Sequence, residues 1–85
     1  MTYKYKAGDR VKVREDLKEG RLYRMELPVH DSNVATYQME KLRGKEVTIE
    51  RVTEYNEYRI YGSNYNWTDG MFEGKVNKVF NGLEV

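Results

Sequence analysis

The sequence predicts a single all-β domain: a small barrel of about five antiparallel strands, with a long early loop and one short helical turn before the last strand. Three observations carry that prediction. Short stretches of apolar–polar alternation recur along the 85 residues, separated by turn residues such as Gly8-Asp9, Asn56 and Gly62-Ser63-Asn64. No stretch sustains a helical period long enough for a stable helix, and no repeat or low-complexity linker divides the chain. A domain of this size buries only about 60–65% of its unfolded surface, so it has room for one small core. Closing the strands into a barrel removes the edges that short strands would otherwise expose.

The elements follow in order. After the Gly8-Asp9 turn, Val11 and Val13 alternate with Arg10, Lys12 and Arg14, the pattern of a half-buried strand. Residues 17–43 are the least regular. Leu22, Leu27, Val34, Met39 and Leu42 fit no single period, and Pro28 to Asn33 is rich in loop formers. Ala35, Met39 and Leu42 have partial helical spacing, which predicts one helical turn near 37–42, stopped by Gly44. Gly44 to Val52 is the clearest strand. Val47 and Ile49 point inward, but at Arg51-Val52 the alternation slips by one residue, as a β-bulge would make it. Tyr55 to Glu57 is a turn around Asn56. Residues 57–61 form a strand with Tyr58 and Ile60 on one face, and Tyr65 and Trp67 alternate on a further strand. Thr68-Asp69-Gly70 stops that strand and caps a helical turn, with Met71 and Phe72 packing inward. In the tail, Val76, Val79, Phe80 and Leu83 fit a helical face, but Asn81-Gly82 interrupts it, which favours strand. The ends, residues 1–6 and 81–85, are expected to fray.

Composition excludes several functions. No apolar run approaches the ~18 residues of a membrane span, and Met1 to Lys6 lacks the apolar core of a secretory leader. With no cysteine there is no disulfide, thiolate nucleophile or cysteine zinc site, which suits the reducing cytoplasm where the protein is expected to act. The one histidine, His30, sits among loop residues with no orienting partner in the sequence pattern. Glu46, Glu50, Glu54 and Glu57 are interspersed with Lys45, Arg51 and Arg59, which reads as a solvated sheet face. No enzyme signature, cofactor motif or metal-ligand spacing is present, so a non-enzymatic protein without cofactor is expected.

The net charge is only +1, but it is unevenly spread: residues 1–24 carry eight basic and four acidic side chains, residues 25–85 seven and ten. Lys4, Lys6, Arg10, Lys12 and Arg14 could therefore form a nucleic-acid-binding face, or an ordinary solvated one. Tyrosine is the anomaly. There are eight, and Tyr55, Tyr58, Tyr61, Tyr65 and Trp67 fall within 13 residues. So small a core cannot give that many phenol hydroxyls a partner, so some must be at the surface. Exposed tyrosines beside arginine suit a protein interface or stacked bases, although strand propensity alone also favours tyrosine. Tyr55, Arg59, Tyr61 and Tyr65 are the candidate partner-binding residues, with Arg59 and Tyr61 opposite Tyr58 and Ile60; Trp67 is expected in the core.

Several segments occur together in a familiar order: GDRVKVRED (Gly8–Asp16), the Gly20 to Tyr23 loop, Met39 to Gly44, GKEVTIERV (Gly44–Val52), Tyr58-Arg59-Ile60 and YNWTDGMFE (Tyr65–Glu73). Over residues 4–73 the chain resembles small phage and prophage proteins of low-GC Gram-positive bacteria that look like Src-homology-3-like barrels. The resemblance implies that fold and a phage origin. By analogy, it also implies an accessory protein that binds and inhibits a host protein, including inhibitors of the anti-CRISPR and other anti-defence kinds. The alternatives are a nucleic-acid-binding barrel and a structural or assembly protein of the virion. As a monomer or homodimer, such a protein would act by stoichiometric binding.

Overall fold

Alternation drives Val11 and Val13 fully inward from the first strand, β1 (Arg10–Val13), and leaves Arg10 and Lys12 on the outer face. In the computed structural model, which describes residues 3–26 and 32–76, this strand is central. It pairs antiparallel with β4 (Glu46–Val52) on one side and β6 (Phe72–Lys75) on the other, and β5 (Tyr58–Ile60) continues the sheet in the order β5-β4-β1-β6. A separate antiparallel pair, β2 (Leu22–Arg24) with β3 (Ser32–Val34), makes a second sheet. The fold is therefore mostly strand, with one short helix, α1 (Tyr37–Glu40), and one 3-10 turn at Asp69–Met71.

The expectation of about five strands falls short by one, because β2 and β3 lie inside the segment read as a long loop. Each has three residues and their inward face offers only Tyr23, so two-residue alternation had no length over which to register. The strand expected at Tyr65–Trp67 is also absent. Only Trp67 pairs, in a single bridge to Tyr58 through N–H···O bonds of 2.7 Å in each direction. Within residues 3–6, part of the end expected to fray, Tyr5 lies in the core and its N–H donates to the Tyr58 hydroxyl. His30, residues 81–85 and most of the tail strand lie outside the described residues.

Other expectations hold. The helical turn forms at Tyr37–Glu40 with a Thr36 cap: Thr36 Oγ1 accepts from Met39 N–H at 3.2 Å, and Gly44 terminates the turn with φ of 76°. The slip at Arg51 is a real irregularity. The β4–β5 register shifts between Ile49 and Arg51, so that Ile49 faces Ile60, Arg51 faces Arg59 and Val52 faces Tyr58. The extra residue, Glu50, is absorbed in the bulge. Val52 returns to the core side and Arg51 to the outside.

The core lies beneath the four-stranded sheet. Trp67 stacks on Phe72 at 5.6 Å, and Tyr5 and Tyr58 meet Phe72 edge-on at 5.8 and 6.3 Å. Met25, Met39 and Met71 fill the remainder, as unbranched side chains can in an irregular interior. The Thr68-Asp69-Gly70 turn fastens the second sheet to this core. Thr68 Oγ1 donates to the Tyr23 carbonyl at 3.2 Å, Asp69 Oδ1 accepts from Glu26 N–H at 2.7 Å, and Gly70 lies directly against the backbone of Arg24. Thr68 thus spends its hydroxyl on β2 and not on capping its own turn.

Candidate functional site

The turn after β4 is built to hold one tyrosine outward. Thr53 N–H donates to the Glu57 carbonyl at 2.6 Å, and its hydroxyl accepts from the N–H groups of Tyr55 and Glu57 at 3.1 and 3.2 Å. Asn56 adopts the left-handed conformation with φ of 64°, which asparagine tolerates better than most residues. Its side-chain oxygen accepts from the Tyr3 hydroxyl at 2.6 Å. These bonds position the Tyr55 backbone, and the ring projects into solvent with 64% exposure.

Tyr55 borders a hollow of about 180 Å³ together with Arg51, Thr53, Glu54, Arg59 and Asn66. Arg51 and Arg59 are direct cross-strand neighbours here because of the bulge. Arg59 is half-buried beneath the surface, and its Nε is buried without a hydrogen-bond partner. The Asn66 carbonyl accepts from Asn33 Nδ2 at 2.9 Å, tying this rim to β3.

Of the four expected partner-binding residues, Tyr55, Tyr61 and Tyr65 are exposed and Arg59 is half-buried, and they do not make one site. Tyr55 and Arg59 share the hollow. Tyr61 lies in the turn that follows β5, also 64% exposed, with its N–H donating to the Thr48 carbonyl and Gly62 beyond it at φ of 87°. Tyr65 borders a different hollow, of about 450 Å³, with Gln38, Lys41 and Leu42 at the end of α1. Its loop is held by Ser63, whose Oγ accepts from Tyr65 N–H and from Trp67 Nε1, both at 3.2 Å. Trp67 is fully buried as expected, and so is Tyr58. Sequence reasoning passed over Tyr37, which is exposed with the Lys41 ammonium 4.8 Å from its ring centre, because its helical stretch was read for its inward face alone. It also passed over Arg51 as a site residue, although the slip in alternation signalled its outward turn.

The five basic residues weighed for nucleic acid are each matched to carboxylates. Lys4 meets Glu26 at 2.9 Å, Lys6 meets Asp9 at 3.0 Å and Arg10 meets Glu46 at 3.2 Å. Lys12 meets Glu15 at 2.7 Å and Glu73 at 3.8 Å, and Arg14 meets Asp16 at 2.8 Å. The hydrogen bond to Glu15 raises the Lys12 pKa, and that from Lys12 lowers the Glu15 carboxyl below its ordinary range. A phosphate would have to displace these carboxylates to bind there. No three His, Cys, Asp or Glu side chains among the described residues are grouped so that they could hold a metal ion. No helix of the described residues is long and apolar enough to cross a membrane.

No protein-family model, curated protein or solved structure matches this chain.

Proposed function

We propose that this protein is a non-catalytic, phage-encoded binding domain that acts stoichiometrically on a host protein, as an anti-defence inhibitor of the anti-CRISPR kind, and that its strands follow the Src-homology-3-like barrel plan. The observation that carries the binding reading is the hydrogen-bonded 53–57 turn, which presents Tyr55 beside Arg51 and Arg59, neither of them in an ion pair among the described residues. Rigid aromatic rings and arginine supply contact area at low entropic cost. The barrel reading is supported by the short antiparallel strands, the bulge that bends β4 and the 3-10 turn before β6. The phage–host reading rests on the sequence resemblance.

The test is affinity capture from a lysate of a low-GC Gram-positive host, repeated with Tyr55→Ala, Arg59→Ala, Tyr61→Ala and Tyr65→Ala. A captured protein whose affinity falls by about 1–2 kcal/mol in at least one variant supports the reading. Unchanged affinity in all four removes the site. A mobility shift of DNA or RNA at low salt that weakens by about 0.7–0.9 log units per phosphate contact for each log unit of salt replaces the protein partner with nucleic acid.

A further inference from the structure

The ion pairs among the described residues engage Lys4, Lys6, Arg10, Lys12, Arg14, Arg43 and Lys75. Arg51 and Arg59 are in none of them. They nonetheless stand directly opposite each other across the β4–β5 ladder, an arrangement in which like charges repel. Arg59 Nε is also removed from water with no acceptor, which is costly for a group that can only donate. A shared anion would relieve the repulsion, because one oxyanion between two guanidinium forks accepts from both.

We infer that Arg51 and Arg59 receive a carboxylate from an acidic side chain of the protein partner, an inference that rests on the binding-domain reading above. The hollow they border, about 180 Å³, suits one side chain, not a polymer backbone. Glu54 borders it and Glu50 is exposed in the neighbouring bulge, so a run of phosphates passing over this face would meet carboxylates. A single Asp or Glu entering between the arginines meets two guanidinium groups against the one carboxylate of Glu54. Tyr55 on the rim offers an apolar ring to the stem of that side chain.

The pair can be read directly from the arginine Nε–Hε signals in the NMR spectrum of isotope-labelled protein. The probes are a short peptide with two adjacent glutamates, its diglutamine counterpart, and inorganic phosphate at the same concentration. The glutamate peptide is expected to shift the Arg51 and Arg59 signals saturably, with no shift from the glutamine peptide. Affinity should fall about tenfold or more in Arg51→Gln and Arg59→Lys, which lose a fork, and stay unchanged in Arg10→Gln. Arg51 is exposed, so its variant keeps the fold, and unchanged backbone signals verify that. A flat response to the glutamate peptide, equal affinity in the variants, or saturation by phosphate at least as tight as by the peptide would overturn the inference. If the peptide has no effect but host capture succeeds, the arginine pair falls and the binding-domain reading stands. A saturable peptide response with no host protein captured keeps the pair as a carboxylate receptor and removes the host-binding reading.

Discussion

Replacing Gly70 with alanine should destabilise the protein through contact alone. A Cβ built on Gly70 would lie 2.4 Å from the Arg24 carbonyl oxygen, 3.3 Å from its nitrogen and 3.5 Å from its carbonyl carbon. All three are backbone atoms, so no rotamer change relieves the clash, and the 68–70 turn must move about an ångström from β2 to reach ordinary contact. That movement stretches the Glu26 N–H to Asp69 Oδ1 bond from 2.7 Å and the Thr68 Oγ1 to Tyr23 carbonyl bond from 3.2 Å. Losing two such bonds costs about 2 kcal/mol, and overpacking by one methyl adds about 1–3 kcal/mol. The expected loss of about 3–5 kcal/mol is a large part of the ~4–13 kcal/mol total typical of a domain this size. Gly62→Ala is the control. Its φ is 87° with nothing within 4 Å of the added methyl, so it should cost only the left-handed backbone, about 1 kcal/mol. Urea unfolding of both variants checks this. A Gly70→Ala unfolding free energy within about 0.5 kcal/mol of wild type, or above that of Gly62→Ala, would refute the reasoning.

Further outcomes follow from single groups. Burial pushes the Asp9 carboxyl up, but hydrogen bonds from Lys6 and the charges of Lys6 and Lys75 outweigh it and hold the group below its ordinary value of 3.8. Asp9 therefore adds stability at neutral pH that is lost as pH falls through its lowered folded value, so the urea midpoint of Asp9→Asn should decline less than wild type between about pH 5 and 2. Thr36→Ala removes the cap on Met39 N–H and should cost about 1 kcal/mol by thermal unfolding. Tyr58→Phe leaves the buried Tyr5 N–H without its acceptor at 3.1 Å and should cost about 1–3 kcal/mol. Burial raises the Tyr58 phenol above its ordinary value, so its stabilisation is complete at neutral pH and lost as pH rises through the folded value; Tyr58→Phe should show a shallower alkaline limb.

Where strands were long enough to alternate, the sequence was legible. Val11 and Val13 in β1, Val47 and Ile49 in β4, and Tyr58 and Ile60 in β5 all face the way their spacing requires. The bulge was legible as well, because Arg51 and Val52 break that spacing in a way only an extra residue repairs. The β2–β3 pair was not, since three-residue strands with one inward tyrosine carry no period, and their pairing is fixed by distant contacts from Thr68 and Asp69. The candidate site was half legible. Exposed Tyr55 and its neighbour Arg59 follow from tyrosine excess and alternation. That Tyr65 would turn away towards α1 depends on the Ser63 loop, a tertiary outcome no local pattern reports.

The bulge makes Glu50 the one position at which β4 can shorten without exchanging its two faces. A chain missing that one residue would still set Ile49 against Ile60, Arg51 against Arg59 and Val52 against Tyr58, now in plain alternation, with the arginine outside and the valine inside. A regular strand has no such spare residue: a change of length there reverses the facing of everything beyond it and strikes the interior and the surface at once. Homologous chains should therefore differ in length here by this one residue or not at all.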